Sequence, residues 1–145
     1  MATKAKTYTV QYVSSDPTSP TFEDGGKSEL KKNDWIEILL NSAWPANSSI
    51  TAVTIYRNKV VNGQDQKDPD NELGAWTSAN GNGTGLAGIF SCSQAAGVVT
   101  VADVEDLTAG SVAKFWFAVS GTVGGSKPLQ SWSVDPELIN KAGTN

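Results

Sequence analysis

The stretch Val112–Gly121, VAKFWFAVSG, is the most aromatic and most continuous apolar run in the sequence. Read with a period of two, it places Ala113, Phe115, Phe117 and Val119 on one face and Val112, Lys114, Trp116, Ala118 and Ser120 on the other. The first face is that of a core strand. The second sets a tryptophan beside a lysine, so it borders a surface that is only partly covered, or one covered by something outside the strand.

Working outward, Gly121–Lys127 (GTVGGSK) reads as a turn and Leu129–Val134 (LQSWSV) as the returning strand of a hairpin. Asp135 then caps a short helix that begins at Pro136 and runs through Glu137, Leu138 and Ile139 toward Gly143. Upstream, Thr7–Val13 alternates Tyr8, Val10 and Tyr12 against Thr7, Thr9 and Gln11. Asp34–Leu40 sets Ile36, Ile38 and Leu40 inward and Trp35 outward, and Ile50–Arg57 sets Val53 and Ile55 inward and Tyr56 outward. Leu86–Cys92 and Val98–Val104 are two further strands around a turn at Gln94–Gly97. The segments 14–33 and 58–85, rich in Gly, Pro, Asn and charge, read as long loops. Seven or eight short strands and many turn signals predict an all-β fold. We expect one antiparallel sandwich domain over residues 1–145, with a short C-terminal helix or turn.

Composition narrows the chemistry. A formal net charge of −4, with no basic cluster beyond Lys31-Lys32, argues against nucleic acid or an anionic membrane as partner. The chain has no histidine, which removes imidazole bases, Ser-His-Asp nucleophiles and His-ligated metals. Cys92 is the sole cysteine, so no intrachain disulfide forms, and a buried inert thiol is expected. No apolar run approaches the length of a membrane span. The N-terminal MATKAKTYTV has lysines without an apolar stretch behind them, and we expect a cytoplasmic chain or one exported without a Sec signal peptide.

The segment Leu107–Leu129, LTAGSVAKFWFAVSGTVGGSKPL, resembles the end of an immunoglobulin-like or fibronectin type III domain: a corner, an aromatic F strand, a Gly/Ser hairpin and a G strand. Leu107 and Gly110 match the corner, and Phe115 and Phe117 stand where those families carry tyrosine and cysteine or valine. Neither phenylalanine has the hydroxyl of a tyrosine corner. The likeness implies an immunoglobulin-like sandwich and no particular activity. Lys31–Arg57 together with Trp132–Pro136 is also similar in spacing to bacterial inclusion-body proteins of the PixA/AidA type, a likeness that implies an intracellular, non-catalytic protein associated with inclusions or secretion-linked phenotypes.

Three groups of residues are candidates for function. Asp65, Asp68, Asp70 and Glu72, in GQDQKDPDNE, carry oxygen ligands for a hard cation such as calcium, or form a solvated acidic loop. Gly83–Gly88 spells G-x-G-x-x-G, but strand-forming residues follow it where a dinucleotide site needs a helix, so it reads as a connection. Trp35, Tyr56 and Trp116 project outward, with Trp44 and Trp76 in adjoining loops. Such flat aromatics beside Asn and Asp suit the C–H faces and hydroxyls of a sugar, suit a protein interface, or form a second small core. These features predict a non-enzymatic binding module. Carbohydrate stacks on the five aromatics, with the acidic loop binding hydroxyls or calcium; the alternative is a homo-oligomeric, self-assembling inclusion protein whose aromatics lie between subunits.

Overall fold

The structure is a computed structural model and describes residues 4–26, 29–80, 84–125 and 127–143. Its strands in chain order are β1 (Lys4–Gln11), β2 (Thr21–Gly26), β3 (Glu29–Leu30), β4 (Trp35–Leu40), β5 (Ser49–Val61), β6 (Gln64–Thr77), β7 (Thr84–Leu86), β8 (Phe90–Ala95), β9 (Val98–Asp103), β10 (Val112–Val123) and β11 (Gln130–Ala142). A single 3-10 turn, Ser78–Asn80, is the one helical element among the described residues.

The alternation of VAKFWFAVSG is realised in β10. Phe115, Phe117 and Val119 are buried, whereas Val112 and Lys114 are exposed and Trp116 is half-buried. The strand pairs antiparallel with β11 on one side and β5 on the other, within a five-stranded sheet of order β3-β11-β10-β5-β6. The second sheet has six strands in the order β2-β1-β4-β9-β8-β7. Both sheets are mixed: β1 runs parallel to β4, and β3 parallel to β11. The expected all-antiparallel arrangement is corrected in these two pairs, and the eleven strands exceed the seven or eight read from the sequence.

The inner faces of both sheets contribute to one buried apolar cluster. Phe117 meets Tyr8 edge-on at 4.9 Å between ring centres, and Phe115 meets Phe90 in the same way at 5.1 Å. Cys92 is buried as expected, and burial pushes its thiol pKa up to about 12.

Three departures from the sequence reading have local causes. The segment 58–85, read as a loop, is largely a long hairpin in which Val61 pairs with Gln64 around Asn62-Gly63. Both turn residues have positive φ, 53° and 78°, which is the two-residue turn that Asn-Gly favours. The segment 14–33 likewise contains β2 and β3. The helix expected after Asp135 is strand: β11 continues through Pro136 with one extra residue, because Phe117 pairs with Glu137 but Val119 with Val134. A bulge is where proline's missing N–H costs no ladder bond, and beyond it Ile139 and Lys141 turn inward.

At one end of β10 the indole of Trp132 lies over Gly121 and donates to the Thr122 carbonyl at 3.1 Å. A Cβ on Gly121 would stand 1.9 Å from the Ser49 carbonyl oxygen and 2.5 Å from the Trp132 ring. Because the Ser49 atom is backbone, the clash cannot be relieved by a rotamer change. Gly121→Ala is therefore expected to destabilise the protein by about 3 kcal/mol, read as a lower urea midpoint at unchanged slope. An unchanged midpoint would mean that β5 and β10 are not held this close.

Candidate functional site

Strand register brings two of the outward aromatics together. Trp116 on β10 stands directly opposite Tyr56 on β5; Leu138 of β11 lies on the far side of Trp116, and Glu72 of β6 on the far side of Tyr56. The result is a row across the outer face of the five-stranded sheet. Both rings are half-buried. The alternation that buries Phe115, Phe117 and Ile55 leaves these positions no other side.

A polar network fixes the row on its hairpin side. The Trp116 indole N–H donates to Asn58 Oδ1 at 2.7 Å, and Asn58 Nδ2 donates to Asp65 Oδ1 at 3.0 Å. Lys114 Nζ reaches Asp65 Oδ2 at 2.7 Å. The Lys67 ammonium sits 4.7 Å from the centre of the Tyr56 ring. Asn58, Lys67 and Lys114 went unnoticed as site residues in the sequence. For Asn58 and Lys114 the signal was the period of two itself, since they are two residues from Tyr56 and Trp116; Lys67 is placed there by its pairing with Asn58.

The other aromatics are elsewhere. Trp35 is on the outer face of the six-stranded sheet, half-buried, with its indole N–H donating to Glu37 Oε2 at 3.0 Å. It shares no face with Trp116. Trp76 is only 1% exposed and Trp44 9%, so neither has a face to stack on a ligand. Trp76 is turned inward by pairing with Val53. Trp44 is anchored by its indole N–H on the Val10 carbonyl at 2.9 Å and packs between Tyr12 and Trp132. Both belong to the one buried apolar cluster to which the two sheets contribute, so neither the ligand-stacking reading nor a second small core is realised for them.

The four acids proposed for calcium are dispersed. Register sets Asp65 against Val60 and Glu72 against Tyr56, four residues apart on β5, which is about 13 Å at a rise of about 3.3 Å per residue. Asp65 is engaged by Lys114 and Asn58, and Glu72 lies beside Tyr56. Asp68 and Asp70 sit in a bulge between the pairs Tyr56–Glu72 and Asn58–Lys67, where Asp68 accepts from the Asp70 N–H at 3.2 Å and from Asn71 Nδ2. Among the described residues, no three Asp, Glu, His or Cys side chains are placed to hold a metal ion. Of the G-x-G-x-x-G string, Gly83 lies outside the described residues, and Thr84–Leu86 is strand and opens no helix. A groove of about 300 Å³, bordered by Leu39, Ile50, Gln94 and Val98, is lined by none of these residues.

No protein-family model matches the chain, and no curated protein sequence matches it. No helix among the described residues is long and apolar enough to cross a membrane.

The Lys114 ammonium, and after it the Asn58 amide, hold the Asp65 carboxyl below the usual carboxylate range. A carboxyl whose folded pKa is lowered stabilises the fold fully above its unfolded pKa, and that contribution disappears as the pH falls through the folded value. NMR titration of the Asp65 carboxyl is expected to give a depressed midpoint that moves up in Lys114→Gln. An unmoved midpoint would show that the ion pair does not form in solution.

Proposed function

We propose that this chain is a non-catalytic, immunoglobulin-like β-sandwich that binds carbohydrate on the outer face of its five-stranded sheet. The strand order supports the fold. With β1 as A, β4-β9-β8 follow as B-E-D, and β11-β10-β5 follow as G-F-C with β6 as an added neighbour of C. β3, beside β11, and β2 and β7, at the edges of the other sheet, are additions to that plan, and the parallel pairing of β1 with β4 departs from it. The lack of histidine in the sequence supports the non-catalytic reading.

The observation that carries the binding reading is the Trp116–Tyr56 cross-strand pair with amide, carboxylate and ammonium groups around it. The half-buried Trp116 ring suits the C–H face of a sugar ring, with Tyr56 beside it under the Lys67 ammonium, and Asn58, Glu72 and Lys67 supply planar and charged partners for its hydroxyls. With Trp44 and Trp76 in the core, Trp116 and Tyr56 are the stacking residues.

One observation favours self-assembly as the second reading. Val60 and Val112, which share this outer face by alternation, are 65% and 58% exposed, and apolar residues beside aromatic anchors also suit an interface between copies of the chain. A glycan array followed by calorimetry on the best ligand separates the two. Sugar binding predicts a monomer by light scattering at all concentrations, with affinity reduced about thirtyfold, or ~2 kcal/mol, in Trp116→Ala. A concentration-dependent large species that binds no glycan, and that Trp116→Ala dissociates, would overturn the carbohydrate reading in favour of assembly.

A further inference from the structure

Far from the aromatic row, the end of β9 and the end of β11 meet in a buried pair. Neither Lys141 nor Asp103 has any exposed side-chain surface, and Lys141 Nζ lies 2.9 Å from Asp103 Oδ1. Strand pairing fixes both residues. Lys141 is in register with Ala113 of β10 and Leu30 of β3, and Asp103 with Phe90 of β8. The Asp103 backbone is also held, its N–H donating to the Asp34 carbonyl at 2.9 Å and its carbonyl accepting from the Asn33 N–H at 2.7 Å.

The hydrogen bonds around the pair are uneven. Asp103 Oδ1 accepts from the Glu105 N–H at 3.2 Å, and Lys141 Nζ donates to the Glu105 carbonyl. Asp103 Oδ2 is buried without any partner. A buried ion pair repays its desolvation only when its remaining lone pairs are satisfied, and here one is not. Burial pushes the Asp103 carboxyl above its ordinary value, with Lys141 opposing the shift. The groups are thus a primary amine and a carboxyl group, fully buried and already in contact.

We infer that Lys141 Nζ and Asp103 Cγ condense to a side-chain amide that joins β9 to β11 covalently. The ammonium first gives a proton to the carboxylate, leaving a neutral amine and a neutral acid. The amine lone pair then forms the N–Cγ bond. The Cγ–Oδ2 bond breaks, and Oδ2 departs as water, carrying the acid's proton and one from the attacking nitrogen. Glu105, whose Oε1 is 3.9 Å from Nζ, is the second carboxylate within range and relays that last proton. The reaction is redox-neutral and needs no co-reactant. Holding the two groups in contact supplies the orientation that an intermolecular condensation lacks.

The product resolves each anomaly of the pair. Oδ1 becomes the amide oxygen and keeps the Glu105 N–H; the remaining amide N–H keeps the Glu105 carbonyl; the unpartnered oxygen is gone, and two buried charges are gone with it.

The test is the intact mass of the folded full-length chain, measured after denaturation, followed by peptide mapping. The expected result is a mass one water below that of the sequence and a branched peptide joining the Asp103 and Lys141 segments. Lys141→Arg and Asp103→Ala should each show the full mass of their own sequences and no branched peptide. A wild-type protein that keeps its full mass after prolonged incubation in the folded state, with Lys141 labelled as a free amine once unfolded, would overturn the inference. So would a water loss that maps to Asp24-Gly25, where cyclisation to a succinimide gives the same mass change. Both outcomes are read on the wild-type protein, so the result does not depend on the variants folding.

Discussion

The contact on which the two sheets depend is that of Phe117 with the rings opposite it. Phe117 is fully buried, meets Tyr8 of β1 edge-on, and lies 5.9 Å from Phe22 of β2. Two residues earlier, Phe115 makes the equivalent contact with Phe90 of β8. One strand of the five-stranded sheet therefore fastens both halves of the six-stranded one. Burying a phenylalanine contributes about 1.5–3 kcal/mol, and an edge-on aromatic pair about 0.5–1.5 more. Once the odd positions of β10 are committed to this contact, Lys114 and Trp116 have only the outer face to occupy. The candidate binding row is a by-product of how the core is filled.

What could be read from the sequence follows the strength of the local signal. β10 was legible because its alternation is uninterrupted, whereas the strand read over Leu86–Cys92 spans the end of β7, a turn and the start of β8, and Gln94 and Ala95, read as turn, are strand up to the Ala96-Gly97 turn of the β8–β9 hairpin. The β5–β6 hairpin carried an equally good turn, Asn62-Gly63, but the acids and Pro69 that follow it outweighed the turn in a reading by composition. β6 is the edge strand of its sheet, and edge strands tolerate charge and proline because they need not bury both sides. Missing that strand misplaced Trp76, whose inward direction is set by pairing with Val53 rather than by anything near it in the chain.

Pro136 misled in the opposite sense. Aspartate followed by proline is a good helix start, and nothing local distinguishes it from a proline at a bulge. The difference lies in β10, which supplies ladder partners on both sides of the irregularity. Lys141 was invisible for the same reason. A lysine near a chain end is ordinarily solvated, and only the register of β11 carries it into the interior beside Asp103. The outward row was half legible: Tyr56 and Trp116 were both assigned outward, but their adjacency is a fact of register, which a single sequence does not state.

The pairing of β3 with β11 has a consequence for the order in which the protein assembles. Glu29 and Leu30 find their partners at Asn140 and Lys141, and β10, the centre of the same sheet, pairs back to β5 across more than fifty residues. Few of these contacts form early, because closing such long loops costs entropy before any burial repays it. On the ribosome, the hairpins β5–β6 and β8–β9 can form as they emerge, but their apolar faces remain uncovered until residues 112–142 are made. A chaperone that shields exposed strands would therefore act between the synthesis of β6 and that of β10, and its client would be a set of preformed hairpins awaiting their central strand.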